Sequence, residues 1–416
     1  MSEWKLKSLK DLSVSITSGL TPLKNNSEYW DNPVIPWLKT DQLGEKYIWD
    51  TNTKISEIAL EKTSLKLYPP KTLSIAMYGE GKTRGNISII MKPMATNQAC
   101  CNIIINDEKA DFEYVYYYMK TQYESLRGLS SGVRNNLNAN DIKNYEIRIP
   151  ESIVEQNNIS KVLSVLDQKI AINNQINEEL EAMAKTLYDY WFVQFDFPDE
   201  NGKPYKSSGG KMVYNDQLKR EIPEGWGVEK VSEIAKTGSG GTPKSTTAEY
   251  YSNGTIPWIN SGELNKSIII STTNYITEFG LENSSAKLFP ADSILIAMYG
   301  ATAGKVSFLA FESSTNQAIC AVTLDDNRLK YYFKFFIEDL YSHLVTLSSG
   351  SARDNLSQDM IKNLLMINPN DGVIETFFTI VDSYFLQITN NLKQNQELTQ
   401  LRDWLLPMLM NGQVKV

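Results

Sequence analysis

The sequence predicts an α+β chain in which two copies of one mixed α/β module are joined by two long helices, paired as an antiparallel coiled coil about a pseudo-two-fold axis. Three observations carry this. A set of motifs recurs in order at a shift of 218 to 222 residues. Inside each recurrence the apolar runs are short and punctuated like strands, and after each copy the apolar period becomes helical. These place a first module at 1–152, a central helix at 153–197, a linker at 198–225, a second module at 226–371 and a final helix at 372–416.

The module opens on Trp4-Lys5-Leu6 with Asp11-Leu12, matched by Trp226-Gly227-Val228 with Glu233-Ile234. Thr21-Pro22 returns as Thr242-Pro243, and Ile35-Pro36-Trp37 as Ile256-Pro257-Trp258. Ala76-Met77-Tyr78-Gly79 returns as Ala297-Met298-Tyr299-Gly300, and Thr96-Asn97-Gln98-Ala99 as Thr315-Asn316-Gln317-Ala318. Ser130-Ser131-Gly132 with Asn136-Leu137 matches Ser348-Ser349-Gly350 with Asn355-Leu356, and Pro150 matches Pro369. Runs such as TLSIAMY, NISIIM and CCNIIIN read as buried strands, which makes Cys100, Cys101 and Cys320 core residues. The aromatic stretches 112–119 and 331–337 read as amphipathic helices whose rings pack in the core. Between matched blocks the copies diverge, as in TDQLGEKYIWDTNTK against SGELNKSIIISTTNY. A shared frame with divergent loops suits two readers of different targets.

After Pro150, apolar residues at Ile159, Val162, Leu166, Ile170, Ile176, Leu180, Met183 and Leu187 form a one-sided stripe with a polar step near Asn173. After Pro369 the stripe runs Phe377, Val381, Phe385, Ile388, Leu392, Asn395, Leu398, Leu401 and Leu405. Each stripe needs a partner, and the other helix is the obvious one. A two-fold relation makes them antiparallel and puts the modules at opposite ends. A helix from 159 to 192 is on the order of 50 Å long. One turn of B-DNA is about 34 Å, so such a pair could hold two readers on neighbouring turns.

Composition excludes several classes. A single histidine, His343, leaves little for zinc sites or a Ser-His-Asp triad. The run Gly79-Glu80-Gly81-Lys82-Thr83 lacks the earlier glycine of a phosphate loop, and Gly300 to Val306 ends in valine where Ser or Thr is needed. Neither a glycine-rich methyl-donor turn nor an Asn/Asp-Pro-Pro-aromatic tetrad is present. No apolar run reaches membrane-span length and the N-terminal stretch lacks a signal-peptide core, so a cytoplasmic chain is expected. The net charge of −8 opposes a polyanionic partner. Its distribution softens that: residues 1–150 hold 19 Lys and Arg against 17 Asp and Glu, whereas 151–226 hold 8 against 13. Tight binding to DNA would rest on local basic loops or on basic partners.

Polar loops at matching places supply the candidates. Lys82, Arg84 and Asn86 share a glycine loop whose counterpart holds Thr302 and Lys305, types suited to phosphates. Arg134, Asn135 and Asn136, with Arg353 and Asn355, suit guanine and adenine edges. The segments after each Pro-Trp add Lys39, Thr40, Asp41 and Gln42, and Asn260, Ser261 and Glu263.

The doubled set of Trp…Leu…Asp, Gly-Thr-Pro…Ile-Pro-Trp, Thr-Asn-Gln-Ala, Ser-Gly…Asn-Leu and a proline before a long helix resembles the specificity subunit of Type I restriction-modification systems. The string Leu187 to Phe195 with Ile222-Pro223-Glu224-Gly225-Trp226 is similar to that family's central segment, and Leu401 to Gly412 to its C-terminal one. The first module departs at Ser18-Gly19-Leu20-Thr21-Pro22, where the second has the glycine-rich form Gly240-Gly241-Thr242-Pro243. The resemblance implies two target-recognition domains reading the halves of a split, asymmetric site in double-stranded DNA, with a helical spacer fixing the gap. It implies two modification subunits docked on the helices and, in some systems, restriction subunits. No cofactor is expected in this chain: S-adenosylmethionine, and ATP and Mg where a restriction subunit is present, belong to those partners. The other readings are a self-contained DNA methyltransferase or nuclease with an unfamiliar site, and a repeat scaffold with no DNA role.

Overall fold

The computed structural model describes residues 3–79, 82–129, 136–300, 302–347 and 356–416, with the side chains of 342–347 excepted. The chain divides into two compact units, Met1–Ala171 with Gln396–Val416, and Ile172–Asn395.

In the first unit a five-stranded sheet runs in the order Ser13–Ser18, Cys100–Ile105, Thr72–Ala76, Ile87–Ile90, Tyr47–Ile48. A three-stranded sheet orders Lys54–Ile55, Ile35–Leu38 and Ala95–Thr96, and Trp4–Ser8 pairs with Glu146–Pro150. The second unit repeats this topology. Its five strands run Ala235–Ser239, Ile319–Leu324, Ile294–Ala297, Val306–Leu309, Ile268–Ile269, while Gly227–Lys230 pairs with Leu365–Asn368. The central strands Thr72–Ala76 and Ile294–Ala297 are wholly buried, which is why they read as unbroken apolar runs and not as an alternation. Cys100, Cys101 and Cys320 are buried in strands, and burial pushes each thiol up to about 12.

The expected aromatic helices form at Phe112–Thr121 and Lys330–Leu347. In the first, Asp111 accepts the Tyr114 N–H at 2.8 Å as N-cap, and Tyr114, Tyr116 and Tyr117 are buried. Lys46 sits beneath this helix, with Nζ 2.8 Å from both Glu113 Oε1 and the Tyr117 hydroxyl. Tyr117 in turn donates to Asp167 at 2.5 Å, and Asp167 takes an ion pair from Arg402 at 2.9 Å. The second unit docks its helix differently, through Tyr331 donating to Asp382 at 2.7 Å.

The long helices span Ile153–Tyr188 and Asp371–Met410. The central one is shorter than the expected 153–197. It ends in a π-helical turn at Asp189–Val193, after which Phe195 takes a φ of 64°. The cause is aromatic: Trp191 and Phe192 turn into a cluster with Phe195, Phe197, Trp226, Tyr332 and Phe377, where the Phe192 and Phe377 rings lie 4.8 Å apart. The stretch 198–225, expected as a linker, carries a hairpin of Met212–Asn215 and Arg220–Pro223 whose Ile222 is buried in that core.

The apolar stripe of the central helix also needs correction. Between residues 170 and 183 the buried positions are Asn173 and Asn177, while Ile172 and Met183 are more than half exposed. Within the second unit Asn173 Nδ2 donates to Asn395 Oδ1 and Gln394 Oε1, and Asn391 Nδ2 donates to Asn177 Oδ1, all at 2.8 Å. The pairings 173 with 395 and 177 with 391 show the two helices running antiparallel. Buried amides are tolerable here because each bonds to an amide across the interface, with Asn173 Oδ1 left as a buried oxygen that no hydrogen bond meets among the described residues. Among the described residues, no helix is long and apolar enough to cross a membrane.

Candidate nucleic-acid interface

The repeated motifs meet at one end of the five-stranded sheet in each module. In the first, the register sets Ser18 opposite Cys101, Ala76 opposite Cys100 and Ile75 opposite Ile87, so the turns beyond these positions share that end. In the second, Ser239 faces Cys320, Ala297 faces Ile319 and Ile296 faces Val306.

Main-chain bonds brace these turns identically. The Met77 N–H reaches the Ala99 carbonyl and the Met298 N–H that of Ala318, both at 2.8 Å. Leu137 N–H returns to Met77 at 3.2 Å and Leu356 N–H to Met298 at 2.8 Å. Asn97 and Asn316 bond through their N–H to Leu38 and Ile259, both at 2.9 Å. The indole of Trp37 donates to the Leu20 carbonyl at 3.1 Å, and Trp258 does the same to Gly241 at 3.0 Å. Gly19 and Gly240 are glycine because a Cβ at either would collide with the backbone of Thr96 or Thr315. The departure at Leu20 leaves this bracing intact, and its side chain packs with the cluster around Trp37 and Ile55. What recurs in the sequence is therefore mostly frame.

The candidate side chains divide once placed. Lys82 and Lys305 are exposed in the glycine loops. The Lys82 carbonyl accepts the Tyr123 hydroxyl at 2.6 Å, and the Arg84 carbonyl accepts Arg127 at 3.2 Å, which ties that loop to the helix Tyr123–Gly128. Thr302, half-buried, accepts the Lys305 N–H through its carbonyl at 2.9 Å. Asp41 is exposed in the 3-10 turn Thr40–Gln42, with Lys39 3.8 Å from its carboxylate, and Gln42 Oε1 accepts the Asn52 N–H. Ser261 lies half-buried in the matching turn. Three candidates are engaged inward. Asn86 donates to the Leu43 carbonyl at 3.0 Å, and Asn260 and Glu263 close a capping box in which Glu263 also accepts Asn274 at 3.1 Å. Asn136 is half-buried beside Leu137, while Arg134, Asn135, Arg353 and Asn355 lie outside the described residues. Two further pairs stand at this sheet end, Tyr78 with Gln98 and Tyr299 with Gln317; their recurrence is plain in the sequence, but only the structure shows them exposed.

The arrangement defines a protein with two equivalent sheet ends, each a set of variable loops on a common frame. The Type I restriction modification DNA specificity domain matches residues 1–182 and 223–400. The chain is 30% identical to the Type I restriction enzyme MjaIX specificity subunit of Methanocaldococcus jannaschii over 423 residues, covering 100% of this chain and 94% of the relative. It is 27% identical to the HindI specificity subunit of Haemophilus influenzae, covering 68% of this chain and 72% of the relative. In fold it is similar to the S subunit of a Mycoplasma genitalium Type I system, with a TM-score of 0.58 at 17% identity over 98% of this chain and 96% of that one. The chain belongs to the family of Type I restriction-modification specificity subunits, whose task is DNA sequence recognition and not catalysis.

Proposed function

We propose that each module reads one half of a split, asymmetric DNA site through the loops at its sheet end, and that the helix pair sets the gap. The observation that carries this is the identical bracing of two sheet ends that differ in their loops. Loop side chains that differ between the modules and are not engaged in a capping box, Lys39, Thr40 and Asp41 against Ser261, offer different groups to different bases. The chain's charge of −8 supports a division of labour in which partner subunits bring much of the phosphate affinity. Those partners are two modification subunits holding S-adenosylmethionine and methylating adenine, joined in some systems by restriction subunits using ATP and Mg. Apolar side chains left exposed on the helices, Val165, Leu401 and Trp404 in the first unit and Met183 and Leu386 in the second, give them a docking surface.

The test is an exchange of residues 1–150 for the corresponding module of another specificity subunit, read by mapping methylated adenines in cells. One half of the methylated motif changes, and the other half and the gap do not. A change in both halves refutes the assignment.

A further inference from the structure

Many positions identical in both modules serve the frame: Ala76, Met77, Ala297 and Met298 are buried, and the Trp37 and Trp258 indoles hold turns. Two polar pairs at the sheet end are exposed instead. Tyr78 and Tyr299 are 39% and 37% exposed, and Gln98 and Gln317 are exposed. They belong to the same end of the sheet. Tyr78 follows Met77, whose N–H bonds to the carbonyl of Ala99, the residue after Gln98. Tyr299 follows Met298, whose N–H bonds in the same way to Ala318, the residue after Gln317.

Each glutamine is held by its oxygen. The Thr21 hydroxyl donates to Gln98 Oε1, and that of Thr242 to Gln317 Oε1 at 2.5 Å. This fixes which way each amide points and leaves Nε2 with its two protons. Among the described residues, no partner meets either Nε2 or either tyrosine hydroxyl. Each module thus presents a phenol and an oriented amide, both donors, at the end of the sheet where its loops lie.

A contact that reads bases must differ between two different half-sites. A contact that is the same in both modules meets what both half-sites share, and hydrogen-bond donors at a fixed place on the frame suit the sugar-phosphate backbone, which takes most protein–DNA hydrogen bonds. We infer that Tyr78 with Gln98, and Tyr299 with Gln317, form two equivalent uncharged clamps, each donating hydrogen bonds to a backbone phosphate of its half-site. The inference rests on the sheet ends being the DNA face. The clamp fixes how far each module settles into the duplex, and the variable loops then read bases from that fixed height. Because the donors are neutral, the clamp adds affinity without steepening the salt dependence, which lysines and arginines govern.

The experiment uses the chain assembled with its modification subunits, one duplex carrying the methylated motif and an unrelated duplex of equal length. Y78F/Y299F keeps both rings and removes both hydroxyls. It is expected to weaken binding to both duplexes by the same factor, about fivefold per hydroxyl, with the slope against salt and the methylated motif unchanged. Q98E/Q317E keeps the oxygen that threonine holds and turns the donor into an anion, so binding falls further, most at low salt. Unchanged affinity in both variants overturns the clamp, as does a change in motif. K82A/K305A separates the two levels: if it flattens the salt slope while the tyrosine and glutamine variants do nothing, the clamp is wrong and the DNA face stands. If none of the three variants alters binding, the face itself is wrong.

Discussion

Asn177 and Asn391 are 7% and 5% exposed and meet across the helix pair, Asn391 Nδ2 donating to Asn177 Oδ1 at 2.8 Å. Replacing Asn391 by leucine leaves that oxygen buried without its donor, at a cost of about 1–3 kcal/mol. The second face of Asn391 costs less, because its Oδ1 accepts from Gln387, which is exposed and can turn to water. Replacing Asn177 instead strands the Asn391 amide, with a similar penalty. Replacing both removes the unmet groups together and adds apolar contact, so N177L/N391L should be near neutral or more stable than the parent. The coupling between the two changes should then be at least about 1.5 kcal/mol. Denaturant midpoints mix the two units, so the readout is amide hydrogen exchange in helix segments 174–180 and 388–394, which reports local opening. Slower exchange in the double variant than in either single one supports the pairing. Costs that simply add would refute it. Buried amide pairs also specify alignment at the expense of stability, so the stabilised variant is expected to blur the gap in the methylated motif.

Two further outcomes follow from packing and burial. A Cβ on Gly304, whose φ is 75°, would run into the Tyr341 ring, whereas one on Gly300, at 87°, meets open space. G300A should therefore cost only about 1 kcal/mol of backbone strain, while G304A displaces the second glycine loop and weakens binding at one half-site, measurable as undermethylation of the motif. The three thiols stand near 12 in the folded chain against an ordinary 9.0. A raised folded value contributes stability that is whole below pH 9 and is lost as pH climbs towards 12, so the denaturation midpoint should fall as pH rises from 9 towards 12 and the thiols should resist alkylation until the chain unfolds. Prompt labelling of the native chain at pH 8 would contradict that burial.

The sequence carries the topology well because a repeat announces itself twice. Recurring motifs are pinned by main-chain bonds to recurring neighbours, as Asn97 is to Leu38, directly after Ile35-Pro36-Trp37, and Ala99 is to Met77. Loop chemistry was less legible. Asn86, Asn260 and Glu263 look like surface readers by type, yet their side chains satisfy local turns, a choice that depends on backbone geometry and not on residue identity. The helix stripe misled for a related reason. Periodicity counts apolar residues, and between 170 and 183 the buried seam is held by amides that only a partner helix could satisfy. The π-helical turn at Asp189–Val193 follows from aromatic packing with residues nearly two hundred positions away, such as Phe377, which no local pattern reveals.

The first unit takes in both Met1–Ala171 and Gln396–Val416, and Leu409 and Met410 are buried in the same core as Leu9 and Tyr114. Trp4 lies against Gly412. A chain emerging from the ribosome at about 5–20 residues per second must therefore carry an unfinished first core for tens of seconds. During that interval Leu9, Leu163 and their neighbours wait for their last partners. A product that stops short of residue 409 leaves that core without the last two side chains that fill it.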